Sequence, residues 1–228
     1  MTGVFGAAWL IARKDFTIEA RSREILATAA FFAVACVLVF SFSLVTDGRA
    51  PDGVAAGVFW VGVAFSGTLS LGRLFERERA HDTLRTLLLA PIERPAVYLG
   101  KLLAVVMLMS AIAALLLPLT GLLFDQAITA AAPALAAVMG LGILGFAAVG
   151  TLFAAMLGRS RSRDVLLPVL LYPMTVPVLI AGVRATAALL EPAGPDWVTA
   201  RTWMGVMAAF DAVFLTLALW TFEAVMEE

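Results

Sequence analysis

The chain has 228 residues, 62% of them hydrophobic, with a mean hydropathy of +0.97. Soluble domains run nearer ~45–50% apolar, so this composition excludes an ordinary soluble enzyme and fits one polytopic membrane domain over residues 1–228. The formal net charge of −1 gives no reason to expect nucleic-acid binding, and the lone Cys36 excludes a disulfide framework and any CxxC or CxxCH motif.

The opening stretch, MTGVFGAAWLIARKDF, lacks a cleavable small-residue site and does not read as a signal peptide. Over residues 3–24, Phe5, Trp9, Ala12 and Phe16 recur at helical spacing, opposite Arg13, Lys14, Asp15 and Glu19. That pattern predicts an amphipathic helix in the membrane interface, aromatic face down. Arg21 and Arg23 then mark the entrance to a first span at about 25–45. A short loop, TDGRAPDG, carries turn formers and leads into a second span at 54–72, where Gly62, Ser66 and Ser70 sit four apart and permit close helix approach.

A charged interruption follows from Arg73 to Lys101 and holds ten of the chain's charged residues (16 basic and 17 acidic in all). Leu84, Leu87, Leu88 and Leu89, with Arg77, Arg79, Asp82 and Arg85, read as a short amphipathic helix closed by Pro91 and Pro95. Four leucines on a solvated loop would be left wet, so this segment is expected to dock on a cytoplasmic partner. Further spans are predicted at 102–124, at 134–158 (rich in glycine), at 165–183 after the RSRSRD hexad, and at 202–222. Each meets the ~20-residue requirement for crossing about 30 Å of hydrocarbon. The predicted fold is therefore all-α, with six transmembrane helices, an N-terminal interfacial helix and a cytoplasmic coupling helix between spans two and three.

The basic residues set the orientation. With the N-terminus inside, all of them except Arg49, Arg184 and Arg201 lie on the cytoplasmic side, so both termini are expected there.

Few residues suggest chemistry. His81 stands in the charged loop without partners at metal-ligand spacing. No GxSxG or HExxH occurs. The Gly100-Lys101 pair is not a phosphate loop, because Pro95 and Leu102 occupy the positions of its glycine and its Ser/Thr. No catalytic residue, metal site or directly bound cofactor is expected on this chain. Pro168, Pro173 and Pro177 in the fifth span each remove an amide donor, which lipid tolerates only against other helices or a cavity. They read either as a static kink or as a hinge or path-lining segment. Asp211 lies deep in the sixth span, where a carboxylate costs about 2.5–3.5 kcal/mol on insertion scales. It is expected to make a structural hydrogen bond or ion pair in preference to a transport role.

Several stretches together resemble a known family. FERERAHDTLRTLLLAPIERPAVYLGKLLA (Phe75 to Ala104) looks like the charged loop between spans two and three of ABC-2 type exporter permeases. ARKDFTIEARSREIL (Ala12 to Leu26), LLPVLLYPMTVPVLIAGVRAT (Leu166 to Thr186) and the ending FDAVFLTLALWTFEAVMEE narrow the resemblance to the CcmB family, the heme exporter protein B of cytochrome c maturation. One departure is Ala80-His81-Asp82, where that family often has an acidic-Gly turn.

The resemblance implies a non-catalytic permease subunit in the bacterial inner membrane that pairs with a second copy. A separate ATPase subunit would drive it through contacts at Glu76, Arg77, Glu78, Asp82, Thr83, Leu84, Leu87 and Leu88. It also implies a heme-handling membrane subunit, a small single-span subunit and, indirectly, a periplasmic heme chaperone. ATP would be bound by the partner, and heme would be cargo, or a heme-loaded chaperone would be released. The chain has no histidine in a predicted span and no Cys-Pro pair, which favours a mechanical role over direct heme binding. The alternatives are an ABC-2 permease for a lipid, drug or polysaccharide, and a non-transporting membrane scaffold.

Overall fold

A computed structural model describes residues 3–46, 50–80, 94–157 and 162–225. Among the described residues the chain forms seven α-helices and one short 3-10 turn. These are α1 (Val4–Ser22), α2 (Glu24–Leu44), α3 (Val54–Ala80), α4 (Arg94–Leu123), α5 (Ala132–Met156), α6 (Arg163–Leu189) and α7 (Trp197–Val225). The turn, Ile128–Ala131, leads into α5. Helices α2 to α7 each contain a stretch long and apolar enough to cross a membrane, so this is a multi-pass membrane protein. α1 is the one that does not.

Local chemistry fixes the joints. Arg23 takes a left-handed conformation (φ 54°) and its N–H returns to the Glu19 carbonyl, so α1 stops and α2 starts at a single residue. Asp125 likewise sits at φ 52° just beyond α4. Pro133 occupies the first turn of α5, where its missing amide costs nothing. Asp196 starts α7 by accepting the N–H groups of Val198 and Thr199, both at 3.1 Å. Hydrogen bonding from the Thr199 side chain and these amides holds the Asp196 carboxyl below its ordinary pKa.

Three expected boundaries shift. α3 continues eight residues past Gly72, and α4 begins at Arg94, so the ends of the charged interruption are helical. Pro95 opens α4 instead of closing a preceding helix, because a proline in a first helical turn displaces no intrahelical bond. The fifth span runs on to Leu189, which places Arg184 within α6. The expected coupling helix falls on residues 81–93, which lie outside the described residues.

α3 is the central element, packing against α2, α4, α5 and α6. Lipid tails are as apolar as leucine, so association depends on close packing and internal hydrogen bonds, not on exclusion of water. The buried Trp60 shows how this works. Its ring lies against Gly142 of α5 and Gly182 of α6, where a Cβ at Gly182 would stand 2.7 Å from the indole. Its Nε1–H donates to the Thr186 hydroxyl at 2.9 Å, so the one polar atom of the ring is satisfied. Ser66 and Ser70 are fully buried and Gly62 faces Leu116, as the four-residue spacing predicts. Gly142→Val is expected to overpack this notch and cost about 1–3 kcal/mol. Gly140→Ala, which points into open space, should not destabilise. Thermal unfolding of the two purified variants in detergent measures the difference.

Candidate functional site

The polar residues gather at one end of the bundle, where α1 lies across the start of α4. Three faces of α1 are distinct. Ala7, Ala8, Ile11, Ala12, Asp15 and Glu19 are buried, while Phe5 (83% exposed), Trp9 and the half-buried Phe16 form a flank turned outwards. Leu10, Arg13, Lys14, Thr17, Ile18 and Arg21 cover the side away from the bundle. The expected placement of Asp15 and Glu19 on the solvated face is thus corrected: they are 7% and 1% exposed. Each has a specific reason to be inside.

Asp15 Oδ2 accepts from the Nζ of Lys101 in α4 at 2.5 Å, and Lys101 is only 2% exposed. Lys14 approaches the other oxygen at 3.0 Å. Directly before Lys101, Gly100 lets α1 come close: a Cβ there would be 2.7 Å from Ile11 Cβ and 3.0 Å from the Ala8 carbonyl. Lys101 was expected in the charged loop. It lies within α4 because Asp15 neutralises it there.

Glu19 performs a different task. Its Oε1 accepts the Leu26 N–H at 2.8 Å, capping the first turn of α2 from the preceding helix. Glu24, in that turn, pairs with Arg73 of α3 at 3.4 Å. This last pair is exposed and contributes little stability. Together, polar contacts run from α4 to α1, from α1 to α2 and from α2 to α3. They form a run of polar links across four helices, at the bundle end where α3 stops and α4 starts.

Beside this end, Tyr98 donates to the Ala148 carbonyl (3.1 Å), tying α4 to α5. The Thr68 hydroxyl reaches Tyr172 OH at 3.4 Å, tying α3 to α6.

The other candidates are scattered. Glu76, Arg77 and Glu78 extend α3 as backbone, with their side chains outside the described part, and Asp82, Thr83, Leu84, Leu87 and Leu88 lie outside the described residues altogether. Pro173 and Pro177 are exposed on the outer side of an uninterrupted α6, and Pro168 is half-buried. The inward side of α6 carries Leu171, Thr175 and Val178 instead.

Asp211 is 4% exposed in α7 and faces Gly145 of α5, where a Cβ would overlap Oδ1. Among the described residues neither carboxylate oxygen has a hydrogen-bond partner, so the expected hydrogen bond or ion pair is not made there. At the far end, Asp52, Gln126, Arg184 and Glu191 line an open cavity of about 270 Å³. No group of three or more His, Cys, Asp or Glu among the described residues could hold a metal.

A profile of the CcmB protein family matches residues 6–228. The chain belongs to that family. It is 33% identical over 195 residues to "Heme exporter protein B" of Paracoccus denitrificans, covering 86% of this chain and 85% of the relative. The Haemophilus influenzae protein of the same name is 27% identical over 185 residues, covering 81% of each chain. That of Rhodobacter capsulatus is 33% identical over 156 residues, covering 67% of this chain and 69% of the relative. For this CcmB family member, the fold class expected from the sequence and the family resemblance both hold.

Two outcomes follow for its buried charges. Removing one member of the Asp15–Lys101 pair takes from the other its nearest buried counter-charge, a loss worth up to roughly 3–5 kcal/mol. Asp15→Asn and Lys101→Met should each lower the thermal unfolding temperature in detergent. The double variant Asp15→Leu/Lys101→Met should lose much less than the two single losses added together. Asp211→Asn keeps the side chain's size and breaks no described hydrogen bond. It is expected to accumulate and unfold like the parent, and a fall in both would show that the carboxylate carries a structural pair.

Proposed function

We propose that this chain is the permease subunit of an ATP-driven complex for cytochrome c biogenesis. The observation that carries this reading is the family match over residues 6–228, with relatives named for heme export. The chain itself hydrolyses nothing. ATP is bound and cleaved by a separate subunit that docks on the segment from Glu76 to Leu88. Docking uses the charges of Glu76, Arg77, Glu78 and Asp82, the hydroxyl of Thr83 and the apolar stripe of Leu84, Leu87 and Leu88. Basic residues cluster at this end of the sequence's spans, so the segment and both termini face the cytoplasm and the protein sits in the inner membrane.

The run of polar contacts from α4 through α1 and α2 to α3 supports the mechanical part of the proposal. Force applied between α3 and α4 reaches α1 through Gly100 and Lys101, and α2 through Glu19 and Glu24. Heme is the cargo, or the work releases a heme-loaded periplasmic chaperone. The complex includes a second copy of this chain, a heme-handling membrane subunit and a small single-span subunit. Pro173 and Pro177 lie on the outward side of α6 and Pro168 is half-buried, so these prolines can serve as a hinge, and the outer two line a path only where another chain covers them.

Leu84→Asp and Leu87→Asp place a charge in the docking stripe. Each is expected to abolish co-purification of the ATPase from detergent extracts while the permease keeps its normal abundance. An intact complex in either variant would overturn the docking assignment.

A further inference from the structure

The outward side of α1 carries a pattern that the ATPase-coupling reading does not use. Leu10, Arg13, Lys14, Thr17, Ile18 and Arg21 border a shallow, widely open depression of about 340 Å³ along this helix. These positions follow i, i+3, i+4, i+7, i+8 and i+11, so they share one face. Arg13, Lys14 and Arg21 are exposed, as are Leu10 and Ile18 between them. Both acidic residues of α1, Asp15 and Glu19, are buried on the opposite side. Lys14 is partly neutralised by Asp15 at 3.0 Å. Arg13 and Arg21 make no ion pair with any described residue.

We infer that this depression is a binding site for an anionic phospholipid, with Arg13 and Arg21 on the phosphate and Leu10 and Ile18 against the upper acyl chains. The aromatic flank of Phe5, Trp9 and Phe16 sets the depth, because exposed aromatic side chains favour the headgroup level of a bilayer. With that flank in lipid and the inward face on α4, the basic face looks sideways into the phosphate layer. Arginine suits the role because its planar fork matches phosphate oxygens in pairs. A basic residue near an anionic leaflet is attracted to it, whereas the apolar residues beside it favour a lipid over a soluble anion. The docked lipid would also wedge α1 against α4 from outside, opposite the Asp15–Lys101 pair. This inference stands apart from ATPase docking, since none of its residues belongs to the segment from Glu76 to Leu88.

The test is native mass spectrometry of the full chain released from detergent containing equal amounts of phosphatidylglycerol and phosphatidylcholine. The parent should retain phosphatidylglycerol preferentially, and Arg13→Gln/Arg21→Gln should reduce that retention about tenfold or more. Arg13→Lys/Arg21→Lys keeps the charge and should retain most of it, which separates loss of binding from loss of folding. Arg184→Gln, at the other end of the bundle, should leave the lipid profile unchanged. Excess glycerol 3-phosphate should not displace the lipid, and 0.5 M salt should weaken its binding. Equal retention of the two lipids, unchanged retention in the glutamine variant, or displacement by glycerol 3-phosphate would each overturn the proposal.

Discussion

A lysine cannot sit buried among membrane-spanning helices without a counter-charge, and Asp15 supplies one for Lys101. Much of the arrangement at this end of the bundle depends on that pair. It fixes α1 to α4 at the point where Gly100 removes the steric barrier to close approach. By drawing Asp15 inwards, it also leaves the outward side of α1 basic. Glu19, one turn further on, then reaches the start of α2 and satisfies an amide that α2 cannot satisfy itself.

The interior of the bundle is held by a different means. Hydrocarbon offers no hydrophobic reward for helix association, so shape must supply it. Glycines in α5 and α6 make room for the Trp60 ring of α3, and Gly150 makes room for Leu71 one helix face further along. Two of the polar atoms that the packing encloses are tied across helices, Tyr98 to Ala148 and Trp60 to Thr186, while Ser66, Thr120 and Thr175 bond back to their own helices. α3 therefore packs directly against four neighbours.

The two ends of the bundle differ in character. One carries α1 and its polar links to α4 and α2, and the other carries short connections around a cavity lined by Asp52, Gln126, Arg184 and Glu191. Between them, α6 and α7 bury a smaller share of their spans than α3 or α5 and leave apolar faces outward. Asp211 joins Ala200, Met207 and Ala218 on the buried side of α7, turned against Gly145 of α5. It is buried without a hydrogen-bond partner among the described residues, as are the hydroxyls of Ser70 and Thr151.

The number of spans, their approximate limits and their alternation were legible in the sequence, because a helix in lipid must satisfy its own backbone over a fixed thickness. The family was legible too, from stretches distributed along nearly the whole chain. Charge and proline misled at particular places. Lys101 looks like loop by its charge alone, and Pro95 looks like an ending when it is a beginning. Asp15 and Glu19 look solvated because helical periodicity shows which residues share a face, but not what the face meets. Only tertiary packing decided those points: an acid is stable inside when a cation or an uncapped amide from another helix stands within hydrogen-bond reach, and no local pattern encodes that neighbour.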